Sequence, residues 1–126
     1  MNLVDSCGWL EYFADGPNAD FFAEPILDLE HLLVPSICIL EVAKRVLQQR
    51  DENAALQAVS MMQRGKLVAM DNAIALLAAR LGCKLKLPLA DSVILATARE
   101  HGATVWTQDG DFRDIDGVRY VEKSKR

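Results

Sequence analysis

Four acidic residues lie at positions in the sequence from which their side chains could converge in an alternating α/β fold. Asp5 and Asp109 follow short apolar segments, whereas Asp91 and Glu41 lie near the beginning of predicted helices. Carboxylates crowded together raise one another's pKa values unless a cation neutralises them. A hard, oxygen-seeking ion such as Mg²⁺ or Mn²⁺ is the natural counter-charge. Such a site can activate a water molecule and hold phosphate oxygens for in-line displacement.

Each of these acids also has a purely structural interpretation. Asp5 can favour the positive end of the first helix, and Asp91 can serve as an N-cap. Glu41 can be a solvated helix residue, and Asp109 followed by Gly110 is a turn signal. We favour a single site that contains all four acids, because four separate structural roles are a less economical explanation for acids at four strand-end or helix-start positions.

The predicted elements bring these acids to one edge of a sheet. Strands are predicted over residues 1–4, 31–34, 66–70, 103–107 and 118–121. Helices are predicted from Ser6, which can cap the first one, and over residues 20–29, 36–49, 52–63, 72–81 and 89–101. Gly82 is expected to end the helix over residues 72–81. This alternation favours a mostly parallel sheet covered by helices on both faces. Sites in such sheets lie outside the carboxyl ends of the strands.

Length and composition favour one folded domain. The chain has 126 residues, of which 51% are hydrophobic and 25% charged, so a disordered class is excluded. We expect a single domain over residues 1–126, with a frayed basic tail at 123–126.

The net charge of −4 is distributed unevenly along the chain. Residues 1–43 contain eight acids and neither lysine nor arginine, whereas residues 44–126 contain ten acids and 14 bases. This polarity suggests that two surfaces meet two kinds of partner, although scattered, solvated helix faces would produce the same count.

The three cysteines, Cys7, Cys38 and Cys83, are widely spaced and form no CxxC pair. A disulfide framework or zinc site is therefore not expected, and a reducing cytosol fits best. The chain also lacks a secretory signal pattern and any apolar run approaching about 18 residues, so we expect a cytoplasmic protein without membrane contact.

Four segments resemble the motifs of PIN-domain proteins, especially VapC-type toxins. They are residues 4–12 (VDSCGWLEY), 35–42 (PSICILEV), 87–98 (LPLADSVILATA) and 107–112 (TQDGDF). The third is the most specific, and together the four span nearly the whole chain in the family's order. The resemblance implies a PIN-like three-layer α/β/α sandwich and a toxin that is a metal-dependent endoribonuclease. It further implies a homodimer and a cognate antitoxin whose tail occupies the active site.

Carried over by position, the resemblance makes Asp5, Glu41, Asp91 and Asp109 the acidic quartet. Asp5 and Asp91 would be the principal ligands of Mg²⁺ or Mn²⁺, with Glu41 and Asp109 completing the site directly or through water. The resemblance assigns Ser6 and Thr107 as supporting hydroxyls.

Two positions depart from the family pattern or leave it open. Cys7 stands where a hydroxyl residue is common, which should affect packing more than chemistry. Asp111 is close enough to Asp109 to share or replace its role.

The expected reaction is hydrolysis of RNA, with products ending in 3′-hydroxyl and 5′-phosphate groups, as the resemblance suggests. Single-stranded loops such as those of tRNA or rRNA are the expected targets. Lys84 and Lys86, just before the third motif, could steer the phosphate backbone. A basic antitoxin tail would match the acidic N-terminal third. The alternatives are DNA as substrate, or an inactive PIN-like or receiver-like binding module.

Overall fold

Five strands and six α-helices alternate along residues 1–124, which are the residues that the computed structural model describes. The strands are Asn2–Val4 (β1), Leu32–Pro35 (β2), Lys66–Val68 (β3), Thr104–Thr107 (β4) and Val118–Tyr120 (β5). The helices are Ser6–Phe13 (α1), Ala19–Leu27 (α2), Ser36–Gln49 (α3), Glu52–Met62 (α4), Asn72–Leu85 (α5) and Leu89–Glu100 (α6). Short 3₁₀ helices occupy Leu29–His31 and Gly110–Phe112.

The strands form one sheet in the order β3-β2-β1-β4-β5, and every neighbouring pair is parallel. The chain first moves from β1 outward to β3 and then returns to place β4 on the other side of β1. The direction of winding therefore reverses between β1 and β4, which is where open α/β sheets form their binding crevices. The predicted α/β class with a central parallel sheet is confirmed.

The core lies around the middle strands and α6. Leu3, Leu33 and Val105, one from each of the three central strands, have no exposed surface. Helix α6 is buried continuously from Asp91 to Ala98, so it is surrounded by protein rather than lying on the surface. This placement takes a carboxylate into the interior at the first turn of α6.

Helix α5 differs from its prediction. Gly82 was expected to end this helix, but α5 continues to Leu85 and is terminated by Lys86, whose φ of 55° lies in the left-handed region. Gly82 serves the packing of α5 against α6 instead, because a Cβ there would lie 2.6 Å from Oγ of Ser92.

The predicted frayed tail is only partly described. Lys123 and Ser124 belong to no helix or strand, and residues 125–126 lie outside the described part of the chain. Within residues 1–124, none of the helices has both the length and the apolar composition needed to cross a membrane.

Candidate active site

Three of the four predicted carboxylates form one group. Asp5 follows β1, Asp109 follows β4 and Asp91 is the third residue of α6, and one carboxylate oxygen from each lies within 4.8 Å of the others. The group forms because β1 and β4 are parallel neighbours, with Val4 opposite Trp106, so their carboxyl ends lie side by side. The strand-end rule therefore located these residues from sequence.

Asp5 is both the N-cap of α1 and a member of the carboxylate group. Its Oδ1 accepts a hydrogen bond of 2.7 Å from the backbone N–H of Ser6. Its Oδ2 accepts from the hydroxyl of Thr107 at 2.7 Å and from the thiol of Cys7 at 3.3 Å. The prediction that Ser6 caps this helix is wrong, since Asp5 performs that role.

Thr107 links two of the three carboxylates. Its hydroxyl donates to Asp5 and accepts a hydrogen bond of 2.9 Å from the backbone N–H of Asp109. The side chain is fully buried at the end of β4. Thr107 therefore lies where the predicted supporting hydroxyl has to be.

Glu41 lies in the same cleft but outside the group of three. Its Oε1 accepts a hydrogen bond of 2.7 Å from the hydroxyl of Ser6, so Ser6 contacts Glu41 rather than the three aspartates. Glu41 is half-buried on α3. The bond connects the beginning of α1 to the second turn of α3, across the cleft floor.

Asp91 is not an N-cap, contrary to its structural interpretation. Pro88 occupies the cap position of α6 without a side-chain hydrogen bond, and Asp91 lies in the first turn. Burial, followed by the charges of Asp5 and Asp109, raises the pKa of Asp91 to about 8. An acid at the start of a helix ordinarily has a favourable position, so the crowding and burial outweigh the helix dipole here.

The pKa of Asp5 is also raised, to about 6. Burial is the largest cause, and the hydrogen bonds donated by Thr107, Cys7 and the Ser6 amide oppose it. These donors favour the charged form of the carboxylate. Both aspartates therefore hold protons more tightly than ordinary acids, as expected for carboxylates without a neutralising cation.

Asp109, rather than Asp111, belongs to the group. Asp109 caps the 3₁₀ helix Gly110–Phe112 through its Oδ1, which accepts a 2.9 Å hydrogen bond from the backbone N–H of Asp111. Asp111 is exposed and lies outside the carboxylate group found within residues 1–124. Its charge nevertheless contributes to the raised pKa of Asp91.

Cys7 contacts the site more directly than its sequence position suggested. In addition to its bond to Asp5, Sγ lies 3.4 Å from Oγ1 of Thr107. Burial, followed by the charge of Asp5, raises the pKa of the Cys7 thiol. Cys7 thus acts as a neutral donor that helps to hold the Asp5 carboxylate.

A cleft of about 570 Å³ opens beside the carboxylates and contains residues that sequence reasoning missed. Lys44, Arg45 and Gln48 of α3 line it together with Glu41. The signal was present in the sequence, because these residues follow Glu41 by three, four and seven positions, which places them on one helix face. Lys84 and Lys86, which were predicted to steer the phosphate backbone, do not line this cleft.

The donor set fits a hard divalent cation. The group offers carboxylate oxygens from three separate chain segments, and such oxygens are the ligands that Mg²⁺ and Mn²⁺ prefer. Burial, the largest cause of both raised pKa values, and the neighbouring carboxylates favour the protonated forms of Asp5 and Asp91, so a cation bound here would displace protons. Arranged next to an open cleft, such a site can bind a phosphate group and promote its hydrolysis.

The sequence of this chain is similar to a known protein family and to a known ribonuclease. The PIN domain family matches residues 3–118, a range that includes all four acidic positions. Ribonuclease VapC4 from Mycobacterium tuberculosis is 33% identical over 96 residues, which cover 70% of this chain and 74% of that relative.

Two solved structures share the arrangement over nearly the whole chain. A toxin–antitoxin complex from Klebsiella pneumoniae contains a chain that matches with a TM-score of 0.79 and 25% identity, covering 94% of this chain and 96% of that one. FitAcB from Neisseria gonorrhoeae matches with a TM-score of 0.75 and 26% identity, covering 97% of each chain. The predicted PIN-like architecture is therefore confirmed.

Proposed function

The chain belongs to the PIN-domain family and has a VapC ribonuclease among its homologues, and from these relationships we propose that it is a toxin endoribonuclease. The observation that carries the proposal is the group formed by Asp5, Asp91 and Asp109 at the switch point of the sheet. These three are among the four positions that the family motifs assign to the acidic site, and the fourth is Glu41.

Asp5, Asp91 and Asp109 would hold Mg²⁺ or Mn²⁺, with Glu41 completing the site through water. The chemistry that such an ion supplies when bound is activation of a water molecule and neutralisation of charge on the scissile phosphate. The three carboxylates are the only such group of protein ligands found within residues 1–124. Because burial raises the pKa of Asp91 to about 8, binding of a cation near neutral pH would be linked to release of a proton from this carboxyl.

The neighbouring side chains position the acids and accept protons. Thr107 and Cys7 orient Oδ2 of Asp5, while Ser6 orients Oε1 of Glu41. Oε2 of Glu41 accepts no hydrogen bond from the described residues and is therefore available to take a proton from an attacking water. Glu41 is our candidate for the general base.

The proposed substrate is RNA, cut within single-stranded loops such as those of tRNA or rRNA. Such loops can be splayed out so that a single phosphate enters a cleft of this size. The expected products carry 3′-hydroxyl and 5′-phosphate ends, because water attacks the phosphorus and the bond to the 3′ oxygen is the one that breaks.

We further propose that a cognate antitoxin inhibits the protein through a basic tail. Two chains with the same fold occur in the solved structures of a toxin–antitoxin complex and of FitAcB, and they are 25% and 26% identical to this chain. The first 43 residues carry eight acids and no lysine or arginine, so they would attract such a tail. The affinity of the complex should then fall as ionic strength rises.

A homodimer is supported by an apolar groove that residues 1–124 leave open. The groove measures about 770 Å³, and two of its lining residues, Leu40 and Leu89, are 61% and 86% exposed. Light scattering after size exclusion tests this state, with Leu89→Glu as the disruptive variant. Glutamate suits the first turn of a helix, so α6 should still form while the dimer dissociates.

The three cysteines are free thiols, which is compatible with the proposed reducing cytoplasm.

The function itself is tested by incubating the purified protein with total RNA and Mn²⁺, with and without EDTA, and mapping the cut ends. Cleavage that EDTA abolishes and that leaves 5′-phosphates supports the proposal. If RNA stays intact while DNA is cut, the substrate is wrong; if neither is cut, the protein is an inactive binding module.

A further inference from the structure

We propose that Lys44 and Arg45 form a phosphate-binding subsite that holds the RNA backbone beside the scissile phosphate. The inference rests on the proposed nuclease function and adds the residues that hold its substrate. It arises from the cleft and not from the family motifs, since neither residue belongs to the four motif segments.

Helical geometry places both cations next to the acidic site. Lys44 and Arg45 follow Glu41 by three and four residues on α3, so they lie about one turn, or roughly 5.4 Å, further along the same face. All three residues line the cleft that contains Asp5, Asp91 and Asp109. A phosphate bound by the cations would therefore be adjacent to the one at the carboxylates.

Neither cation has a partner that satisfies its charge. Both side chains are exposed, and the ion pairs found within residues 1–124 join Asp28 to His31 and Glu122 to Arg113. Lys44 and Arg45 thus lie near acidic residues without forming an ion pair to any of them. They remain free to bind an external anion.

The chemistry of the cleft favours a polyanion as that ligand. A divalent cation would offset most of the charge on the three aspartates, so the floor that faces the positive side chains on α3 would repel a phosphate much less. Arginine can bind a phosphate through two parallel hydrogen bonds, and lysine contributes a point charge. Both residue types commonly contact the phosphate oxygens of nucleic acid backbones.

The test compares two charge-neutralised pairs. K44Q/R45Q removes the proposed subsite, and R64Q/K66Q removes one arginine and one lysine from exposed positions at or just before the beginning of β3, outside the cleft. Both pairs are built on Asp91→Asn so that the probe stays intact. The probe is a short, 5′-labelled single-stranded RNA, and its affinity is measured by fluorescence anisotropy at several salt concentrations.

K44Q/R45Q should bind the RNA about tenfold more weakly, and the slope of log K against log salt should decrease by about 1.4, or roughly 0.7 for each lost phosphate contact. R64Q/K66Q should retain most of the affinity, and K44R/R45K, which keeps both charges, should restore the slope. Equal affinities and equal slopes for the two neutralised pairs would overturn the subsite.

A kinetic arm with Asp91 intact separates the subsite from the function. K44Q/R45Q should raise KM about tenfold and change kcat by less than about twofold, because the lost contacts act on binding. If the wild-type protein cuts no RNA, the proposed function fails, while the anisotropy comparison still decides whether Lys44 and Arg45 hold RNA.

Discussion

The hydroxyl of Thr107 donates a hydrogen bond of 2.7 Å to Oδ2 of Asp5, a residue 102 positions earlier in the chain. The same hydroxyl accepts the backbone N–H of Asp109 at 2.9 Å. One buried side chain thereby sets the relative position of two carboxylates that come from different strands. This connection makes Thr107 the natural target for testing how the site is positioned.

Thr107→Val should weaken Mn²⁺ binding by about tenfold to a hundredfold, the usual cost of losing a group that orients a metal ligand. The valine keeps the shape of threonine but leaves Oδ2 of Asp5 with only the Cys7 thiol as a donor, and the loss of the Thr107 hydrogen bond raises the pKa of Asp5 further. Isothermal titration with Mn²⁺ measures the effect. Thr107→Ser is the control, because it keeps the hydroxyl; similar Mn²⁺ affinities for the valine variant and the wild type would contradict this role.

Ser6→Ala and Glu41→Gln should both impair the same role, that of Glu41 as the proposed general base. Glu41→Gln removes the proposed general base and should lower kcat about a hundredfold. Ser6→Ala keeps the Glu41 carboxylate but frees its Oε1 from the 2.7 Å hydrogen bond, so the loss of kcat should be only severalfold. The double variant should be no slower than Glu41→Gln alone. Multiplying effects in single-turnover cleavage would mean that Ser6 and Glu41 act separately.

Much of the site could be predicted from the order of elements. Once β1 and β4 are parallel neighbours, Asp5 and Asp109 have to lie near one another, and the helix that returns to this edge brings Asp91. The alternation of apolar strands with helical patterns is visible in the residues themselves. These parts of the fold depend on periodicity and on the handedness of crossovers, which local sequence specifies.

The remaining features depend on contacts between distant residues. The bond from Ser6 to Glu41 spans 35 positions, and helical spacing alone cannot reveal which hydroxyl Glu41 meets. The end of α5 was mispredicted because Gly82 is a usual stop signal, whereas Lys86 adopts the left-handed conformation that ends the helix. Packing against Ser92 gives Gly82 its actual role.

Asp109 and Asp111 should differ sharply on substitution. Asp109→Asn keeps the oxygen that accepts the Asp111 amide but loses the negative charge in the group, so RNA cleavage should fall at least about tenfold. Asp111→Asn alters an exposed acid outside the group and should stay within about twofold of the wild type. The initial rates of RNA cleavage in Mn²⁺ compare the two variants. A larger loss of rate for Asp111→Asn than for Asp109→Asn would make Asp111, and not Asp109, the acid that serves the site.

The metal-free protein should lose stability as pH rises. Folded Asp91 holds its proton up to about pH 8, whereas an aspartate in the unfolded chain has a pKa of 3.8. The folded state therefore binds more protons than the unfolded state between these values, and the free energy of unfolding decreases across that interval. Asp5 contributes in the same direction up to about pH 6.

Asp91→Asn removes one of these ionisations, so in EDTA its Tm should exceed that of the wild type by several degrees at about pH 8. The difference should shrink near pH 5, where the wild-type Asp91 is protonated. Asp116→Asn, an exposed aspartate outside the cleft, provides the control with the same change of charge. A Tm difference that is the same at both pH values would contradict the buried, proton-holding Asp91.

The most direct test of the proposed active site is the rate at which Asp91→Asn cleaves RNA in Mn²⁺, compared with the wild type at equal folded concentration. Changes to groups that only orient metal ligands cost about tenfold to a hundredfold, so removing a ligand charge should cost at least about a hundredfold. Asp91 is not the cap of α6, and the variant should therefore stay folded while losing activity. Cleavage by Asp91→Asn at the wild-type rate would contradict the assignment of Asp5, Asp91 and Asp109 as a metal-dependent nuclease site.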